Sequence, residues 1–386
     1  MSEVGGRFVI DARYVRARPS GIGVYVAALI ARMPGLSPEA RFHLWTHPER
    51  PEPVVAPNVT CTVVPAVADG LRTLLAPASI EDLSPSDVLH FPFSLLGRGV
   101  PCASVVTIHD LMWLEQPEKV DARPLLRGLR ARYYQAGMRQ ALARATRLIA
   151  VSQATADRIV AVSPASAPRL RVIHNAAGAA FRPPPDRQAA ARRAAELVGS
   201  DAPYYLVVGK NEPYKGHHLV LEAFAREARP GELLVLVQRT RRGAGLERLA
   251  QRLGISDKLR WLPTLTEPEL VTVLQAARAL LQPSLVEGFG IPVLEAMASG
   301  CPVIASDTPA LVEVLGGAGL HAKVLDTAGL AHAMARVRDD ALREELRERG
   351  LERARAFSWD NAARDTLEVY RDAARLGPSA AEGRRA

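Results

Sequence analysis

The feature that most constrains this chain is a repeated alternation of short apolar runs with longer amphipathic stretches. Short apolar runs between turn residues indicate buried strands, and the stretches that separate them have the apolar periodicity of helices. Strands that alternate with helices form parallel sheets with both faces covered. The predicted strands of a first series are Phe8–Ile10, Phe42–Trp45, Thr60–Val64, Val88–Phe91, Ser104–Ile108, Arg147–Val151 and Arg171–Ile173.

A second series of strands follows in the C-terminal half of the chain. Its predicted members are Tyr204–Val208, Leu233–Gln238, Leu259–Leu262, Ala279–Gln282 and Pro302–Ala305. The helical stretches between the strands of both series are Gly23–Arg32, Leu125–Arg144, His218–Arg226, Gly245–Leu253, Glu267–Ala277, Pro292–Ala298 and Pro309–Leu315. Two such series predict an α/β protein with two doubly wound, Rossmann-like domains, which agrees with a length of 386 residues.

Proline composition marks the boundary between the two domains. The segment Phe181–Asp186 contains three consecutive prolines, which exclude a helix interior and favour an extended linker. A final helix is predicted over Asp360–Arg375. The predicted division is an N-terminal domain over 1–178, a linker over 179–201, a C-terminal domain over 202–358, a helix over 359–376 and a disordered tail over 377–386.

The net charge of +8 restricts the classes of partner. Nucleic acid, an anionic membrane surface and an anionic small substrate all suit a basic chain. No block of consecutive basic residues with interleaved aromatic residues is present, so nucleic acid is the least favoured partner. The other two partners stay open, and solvated helix faces account for part of the charge.

Cysteine spacing and hydropathy indicate the compartment. Cys61, Cys102 and Cys301 lie far apart and form no Cys/His metal pattern, so neither a disulfide framework nor a zinc site is expected. The N-terminal residues contain no apolar segment of signal-peptide length, and no run has the roughly 18–20 apolar residues that span a bilayer. We therefore expect a cytoplasmic protein, with peripheral contact to the inner face of an anionic membrane left open.

The first candidate functional segment is the loop Val208–Gly216, which follows a predicted strand. Ligands of doubly wound sheets bind where such loops lead into helix N-termini. Lys210 and Lys215 supply positive charge, and Gly209 and Gly216 allow close approach of the backbone, which together suit a diphosphate. On its own, the pattern also fits two exposed lysines in a turn.

The second candidate segment, Pro283–Glu295, leads from a predicted strand into a predicted helix. Glu287 lies in its loop part, and Glu295 lies about one turn inside the helix. Gly288 and Gly290 offer unobstructed backbone N–H groups beside the positive end of that helix. Such a loop binds phosphate on its backbone, while the two carboxylates accept hydrogen bonds from hydroxyl groups.

The span from Glu287 to Glu295 resembles the E-x7-E signature of retaining GT-B glycosyltransferases of family 4, and the intervening GFGIPVL matches the usual filling. Further matches extend over nearly the whole chain. They are Val208–Gly216 to the family's phosphate loop, Leu262–Thr264 to its base-contacting turn, Gly300–Ser306 to the strand after the signature helix, and Phe357–Trp359 to the element before the helix that crosses back to the N-terminal domain. The resemblance implies a GT-B fold, with two Rossmann-like domains that face each other across a cleft.

The resemblance also implies roles for residues of the C-terminal domain. Glu287 would bind hydroxyls of the donor sugar, Glu295 would bind the ribose diol, and Lys215 would neutralise the diphosphate. The other residues that it assigns to donor binding there are Lys210, Thr264, Gly288, Phe289, Gly290 and Ile291. Lys210 departs from the arginine that the family usually has at this position, so it keeps the charge without the bidentate fork.

Two segments of the N-terminal half match the same family. Gly21 and Gly23 lie in a glycine loop that resembles the one bringing the N-terminal domain to the donor phosphates. A dinucleotide fingerprint is rejected here, because Val26 stands where the third glycine belongs. His109 and Asp110 end a predicted strand and resemble the family's His–Asp segment, in which the histidine contacts the donor sugar near the reacting carbon.

These matches predict a retaining hexosyltransferase of surface polysaccharide assembly. Its donor is expected to be GDP-mannose or, next, a UDP-sugar, and its acceptor a hydroxyl of a saccharide or a lipid-linked substrate. No Asp-x-Asp metal motif is present, so lysines and helix N-termini are expected to stabilise the leaving diphosphate without a metal or another cofactor. A GT-B epimerase, a sugar phosphorylase and an inactive GT-B scaffold are the alternatives.

Overall fold

The computed structural model describes residues 7–17, 20–120, 124–238 and 244–378. These residues divide into two compact units. The first unit consists of residues up to 117, residues 124–175 and residues from 358 onward, whereas the second consists of residues 118–120 and 176–357. The first unit is therefore built from separate stretches of the chain, and its last stretch comes after the second unit.

The first unit is built on a parallel sheet. Its strands within the described residues are β1 Phe8–Asp11, β2 Phe42–Thr46, β3 Val59–Val63, β4 Val88–Phe91, β5 Ala103–Ile108, β6 Arg147–Ala150 and β7 Leu170–Val172. They lie in the order β3-β2-β1-β4-β5-β6-β7, and every pair of neighbours is parallel. This arrangement is that of a doubly wound domain.

Helices connect the strands of this sheet. Those before Asn175 are α1 Gly21–Ile30, α2 Met33–Leu36, α3 Leu71–Leu75, α4 Met112–Glu115, α5 Pro117–Val120, α6 Pro124–Arg144 and α7 Gln153–Val162. Short 3-10 helices lie at Pro77–Ser79 and Pro164–Arg169. Both α1 and α7 begin after a serine, because the hydroxyls of Ser20 and Ser152 accept hydrogen bonds from the N–H groups of their first turns.

The second unit contains a second parallel sheet. Its strands within the described residues are β8 Tyr204–Val208, β9 Leu233–Val237, β10 Leu259–Leu262, β11 Ala279–Gln282, β12 Val303–Ser306 and β13 Leu320–Ala322. Their order is β10-β9-β8-β11-β12-β13, again with parallel neighbours. The helices of this unit are α8 Arg187–Val198, α9 His217–Glu227, α10 Ala244–Arg252, α11 Glu267–Ala276, α12 Ile291–Ala298, α13 Pro309–Leu315, α14 Thr327–Arg336 and α15 Asp340–Ala354, with 3-10 helices at Pro213–Lys215 and Ser256–Lys258.

The last helix, α16 Trp359–Leu376, belongs to the first unit. The hydroxyl of Ser358 caps it by accepting a hydrogen bond from the N–H of Asp360 at 3.2 Å. Its apolar face buries Trp359 and Tyr370 and packs against β4 and β5. The residues of α16 thus complete the core of the N-terminal unit.

The structure confirms the predicted fold class, an α/β protein with two doubly wound parallel sheets. It adds the strand Leu320–Ala322, which the sequence analysis did not predict because the exposed, polar His321 interrupts its apolar run. Of the predicted disordered tail, residues 379–386 lie outside the described residues. Within the part of the chain that the structure describes, no helix combines the length and the apolar character that crossing a membrane requires.

Part of the predicted linker over 179–201 is the helix α8. The carboxylate of Asp186 starts this helix by accepting hydrogen bonds from the N–H groups of Gln188 and Ala189 at 2.8 and 3.1 Å. Gly199 ends it in the left-handed conformation, with φ of 73°. The helix packs against α11, so these residues are a structured part of the second unit.

The strand order of each sheet reverses at one position. In the first sheet β1 has β2 on one side and β4 on the other, and in the second sheet β8 has β9 on one side and β11 on the other. In doubly wound sheets ligands bind at the carboxyl ends of the strands that flank such a reversal. In the second sheet these strands are β8 and β11, and they lead into the two segments that the sequence analysis selected.

Candidate active site

The loops that follow β8 and β11 are in direct contact. The N–H of Leu285 donates a hydrogen bond to the carbonyl of Tyr214 at 2.7 Å. Gly216 has φ of 65°, and a Cβ atom there would lie 2.5 Å from the carbonyl oxygen of Pro283. Only glycine therefore fits between the two loops at this point.

The carboxylate of Glu287 is the centre of this contact. Its Oε1 accepts hydrogen bonds from Lys215 Nζ at 2.6 Å, from Gln282 Nε2 at 2.8 Å and from Ser284 Oγ at 2.8 Å. The side chain of Glu287 is 10% exposed and that of Lys215 is 17% exposed. Because all three donors bind Oε1, Oε2 is left without a donor among the described residues. That oxygen is available to a ligand.

Gln282 and Ser284 are site residues that the sequence analysis did not select. Gln282 is the last residue of β11, and both side chains are buried. They hold one carboxylate oxygen of Glu287 and so fix the direction of the other. Their signal in the sequence is that both are polar residues at the end of an apolar strand, within five positions of the signature glutamate.

The N-terminus of α12 lies directly after this loop. Gly290 is its N-cap residue with φ of 97°, and no side chain among the described residues caps the helix there. A Cβ atom on Gly290 would lie 2.5 Å from Leu311 Cδ2. The helix begins at Ile291, and Phe289 is buried with its ring 5.8 Å from that of Phe357. The N–H of Ile291 is thus suited to an anion at the positive end of the helix, since the next residue is a proline without an N–H.

Glu295 lies on α12 and is half-buried. Burial raises the pKa of its carboxyl group to about 8, and the neighbouring carboxylate of Glu267 raises it as well. No described residue hydrogen-bonds to this carboxyl group. A ligand hydroxyl can therefore bind it without displacing a protein partner.

The other predicted residues of the second unit lie at the same edge of the sheet. Lys210 is exposed in the loop after β8, and Thr264 is half-buried in the segment after β10. Gly288 lies in the loop before α12. The structure thus brings Lys215 and Glu287 into contact, while it places Lys210, Thr264 and Glu295 near the carboxyl ends of the strands without a mutual contact.

His109 follows β5 in the first unit. Its Nε2 donates a hydrogen bond to the carbonyl of Pro92 at 2.9 Å, and its backbone N–H donates to Ser94 Oγ at 3.2 Å. Burial lowers the pKa of His109 to about 4, so the ring is neutral near pH 7. The proton on Nε2 leaves Nδ1 as a hydrogen-bond acceptor.

The remaining predicted residues of the first unit follow β1 and β5. The carboxylate of Asp110 accepts a hydrogen bond from the N–H of Met112 at 2.9 Å and so supports the start of α4. Gly21 is the first residue of α1 and is exposed, with open space where a Cβ atom would stand. Gly23 is buried, and its N–H donates to Ser20 Oγ at 3.3 Å. The amide of Gly23 is therefore used within the helix cap.

Two protein-family models match the chain. The model described as Glycosyl transferases group 1 matches residues 188–356, which lie in the second unit and include both loops of the Glu287 site. The model described as Glycosyl transferase 4-like domain matches residues 20–176. The second match includes His109 and the glycines of α1.

Named relatives and a solved structure are also similar to this chain. O-antigen chain mannosyltransferase B of Escherichia coli is 36% identical over 173 residues, which are 44% of this chain and 45% of that protein. A D-inositol 3-phosphate glycosyltransferase of Nocardia farcinica is 34% identical over 248 residues, 61% of this chain and 54% of that protein. The matched region thus spans about half the length of these curated relatives. The crystal structure of Anabaena HepE in complex with UDP-glucose has a TM-score of 0.68 at 16% identity, and the match covers 94% of this chain and 98% of that one.

Proposed function

The chain belongs to the GT-B glycosyltransferases, and we propose that it transfers a hexosyl group from a nucleotide diphosphate sugar with retention of configuration. It is a transferase that acts on nucleotide sugars. The proposed acceptor is a hydroxyl group of a saccharide or of a lipid-linked substrate. A place in surface polysaccharide biosynthesis, a cytoplasmic location and peripheral contact with an anionic membrane are parts of the same proposal.

The observation that carries the proposal is the contact of Lys215 with Glu287 beside the strand reversal of the second sheet. The hydroxyls of a donor sugar need hydrogen-bond acceptors, and Glu287 Oε2 is one. Its diphosphate needs positive charge, which Lys215 supplies a few ångströms away. A carboxylate and an ammonium group held side by side suit a ligand that carries both hydroxyl groups and a negatively charged diphosphate.

The rest of the nucleotide has candidate partners on the same sheet edge. Glu295 has no hydrogen-bond partner in the described protein and suits the ribose diol. Lys210 is exposed and adds a second positive charge for the diphosphate. The backbone amides of the loop from Gly288 to Gly290 and of Ile291, the first residue of α12, suit the phosphate oxygens, and Thr264 suits the base. These roles follow the family resemblance.

In the proposed reaction, the bond between the anomeric carbon and the diphosphate oxygen breaks, and its electron pair leaves with the diphosphate. The acceptor oxygen bonds to the same face of the anomeric carbon, and its proton passes to the leaving phosphate. Lys215, Lys210 and the amides of α12 stabilise the growing negative charge. The proposal assigns no metal and no further cofactor to this step.

His109 is proposed to contact the donor sugar. Its Nδ1 accepts a hydrogen bond from a sugar hydroxyl, because its Nε2 proton is already bound to the carbonyl of Pro92. The low pKa of His109 keeps this acceptor available at neutral pH. Gly21 and Asp110, which belong to the same unit as His109, are also proposed to bind the donor.

The proposed donor is GDP-mannose first and a UDP-hexose second. The resemblance of the glycine loop and the phosphate loop to those of mannosyltransferases supports GDP-mannose, as does the name of the Escherichia coli relative. The complex of the structural neighbour with UDP-glucose supports the second choice.

A thermal-shift panel with GDP, UDP, ADP and their sugars tests the donor class. We expect one base to raise the melting temperature selectively, and to raise it less in a Lys215→Met variant. An absence of any shift would overturn the proposal in favour of an inactive scaffold. A shift with a uridine nucleotide alone would replace GDP-mannose with a UDP-sugar.

Hydrolysis of the donor tests the reaction and its stereochemistry. The protein is incubated with GDP-mannose or UDP-glucose without acceptor, and NMR follows the first anomer of the released hexose. Both donors carry an α linkage, so retention gives the α-hexose first. Initial formation of the β-hexose would contradict retention, and a nucleotide-linked epimer without release of nucleoside diphosphate would identify an epimerase.

A further inference from the structure

A continuous chain of buried hydrogen bonds runs through the first unit. The hydroxyl of Tyr370 is bonded to His90 Nδ1 at 2.6 Å, and His90 Nε2 is bonded to Thr107 Oγ1 at 2.8 Å. The hydroxyl of Thr107 is in turn bonded to the hydroxyl of Tyr25 at 3.0 Å. All four side chains are at most 1% exposed. We refer to Tyr370, His90, Thr107 and Tyr25 as the relay.

The relay joins four elements of the unit. Tyr370 belongs to the C-terminal helix α16, His90 to β4, Thr107 to β5 and Tyr25 to α1. Pro92 follows β4 two residues after His90, and His109 follows β5 two residues after Thr107.

Tyr25, at one end of the relay, contacts the ring of His109. The rings of Tyr25 and His109 meet edge to face, with centroids 5.0 Å apart and an interplanar angle of 88°. The other support of the His109 ring is the carbonyl of Pro92. The strands that precede Pro92 and His109, β4 and β5, are joined by the bond between His90 and Thr107. The relay thus contacts the His109 ring through Tyr25 and joins the two strands beside it.

Packing alone does not account for the polar groups of the relay. A buried hydroxyl or imidazole loses its bonds to water, so apolar side chains of the same size would give a core of equal or greater stability. Burial lowers the pKa of His90 to about 3 and raises that of Tyr25, so these groups stay neutral. A fully bonded neutral network fixes one arrangement of its members, which suits a positioning role.

We propose that the relay from Tyr370 positions the His109 ring, so that the C-terminal helix controls how His109 meets the donor sugar. The proposal rests on the role of His109 in the proposed function. The relay residues act through His109 and are positioning residues. Removing one hydroxyl at the far end of the relay should therefore change His109 while the donor-binding residues of the second unit stay intact.

The test compares two variants that each remove one buried tyrosine hydroxyl. Tyr370→Phe cuts the relay, whereas Tyr204→Phe removes the hydroxyl that donates to the carbonyl of Val273 in the second unit at 2.6 Å. Tyr25→Phe cuts the relay at its other end and serves if Tyr370→Phe fails to fold. The ring resonances of His109 are followed by NMR in protein labelled at histidine, and hydrolysis of GDP-mannose and of UDP-glucose is measured in parallel.

We expect Tyr370→Phe to displace the His109 ring resonances and Tyr204→Phe to leave them in place. Donor hydrolysis should fall about ten-fold in kcat for Tyr370→Phe, with an unchanged Kd for the nucleoside diphosphate. Equal behaviour of the two variants in both measurements would overturn the relay. A displaced His109 resonance with full hydrolysis in both Tyr370→Phe and His109→Ala would instead leave the relay in place and remove His109 from the proposed function.

Discussion

Lys215 and Glu287 are 72 positions apart in the sequence, yet Lys215 Nζ lies 2.6 Å from Glu287 Oε1 in the folded second unit. The pair is largely buried, so each charge depends on the other when no ligand is present. A bound diphosphate offers Lys215 a second anion. Lys215 therefore favours binding of the diphosphate, whereas the charge of Glu287 opposes it. Substitutions of the two residues should have different effects on nucleotide affinity.

Replacing Glu287 with glutamine should separate transfer from binding. Glu287→Gln removes the carboxylate that binds the donor sugar, so we expect donor hydrolysis to fall at least about 100-fold. The same change removes a negative charge beside Lys215, so the affinity for nucleoside diphosphate should stay the same or rise. Calorimetry with GDP and UDP and a hydrolysis assay check the two parts. Turnover at the level of the unchanged protein would show that Glu287 does not contact the reacting sugar.

Replacing Lys215 with methionine should weaken binding of the diphosphate. A hydrogen bond to a charged group contributes about 1.5–3 kcal/mol, so we expect Kd to rise about 10- to 100-fold. The free nucleoside should bind both proteins equally, because it lacks phosphate. Lys210→Met is the matched control, and its smaller effect is expected because Lys210 is exposed. An equal loss of affinity for the nucleoside would place the defect in folding instead.

Gly216→Ala tests the contact between the two loops. The new Cβ atom would lie 2.5 Å from the carbonyl oxygen of Pro283, so the loops must separate. Gly199→Ala is a matched control, because Gly199 has φ of 73° and open space where the Cβ atom would stand. Both variants bear the cost of the left-handed conformation, about 1–3 kcal/mol. We expect only Gly216→Ala to lower the affinity for nucleoside diphosphate, and equal affinities in the two variants would contradict the contact.

The raised pKa of Glu295 should make stability depend on pH. The folded protein keeps a proton on Glu295 up to a pKa of about 8, whereas the unfolded chain loses it near about pH 4.3. Between these values the native state binds more protons, so the free energy of unfolding falls as the pH rises. Glu295→Gln removes this dependence, and its advantage in melting temperature over the unchanged protein should grow from pH 5 to pH 8.

Melting curves of both proteins across this range measure the difference. Glu348→Gln, at an exposed position of α15, controls for the loss of one carboxylate. An advantage of Glu295→Gln that stays constant with pH would show that Glu295 is already ionised in the native state at pH 5.

The sequence allowed the architecture and the signature residues to be predicted. Continuous apolar runs such as Tyr204–Val208 gave the strands to within about one residue, because a strand buried on both faces has a strong signal. Pro292 near the start of α12 and Gly290 before it marked the loop between a strand and a helix. Glu287 could be selected because its spacing from Glu295 is a family signature.

The features that the sequence did not predict depend on interactions between distant residues, which a local sequence pattern does not encode. The apolar positions of α8 are mostly alanines, so its helical pattern is weak, and the prolines before it favour a linker. The ion pair of Lys215 with Glu287 forms between residues that only the parallel sheet brings together. Gln282 was interpreted as the end of a strand, since nothing in a single sequence says that its amide turns towards Glu287.

The placement of α16 sets the order in which the units can mature during synthesis. The helix supplies Trp359 and Tyr370 to the first unit, yet roughly 180 residues of chain, those between Asn175 and Ser358, must be translated before it. At about 5–20 residues per second, the ribosome needs about 10 to 40 seconds for that stretch. During this time β4 and β5 lack the cover of α16, so the N-terminal unit cannot complete its apolar core.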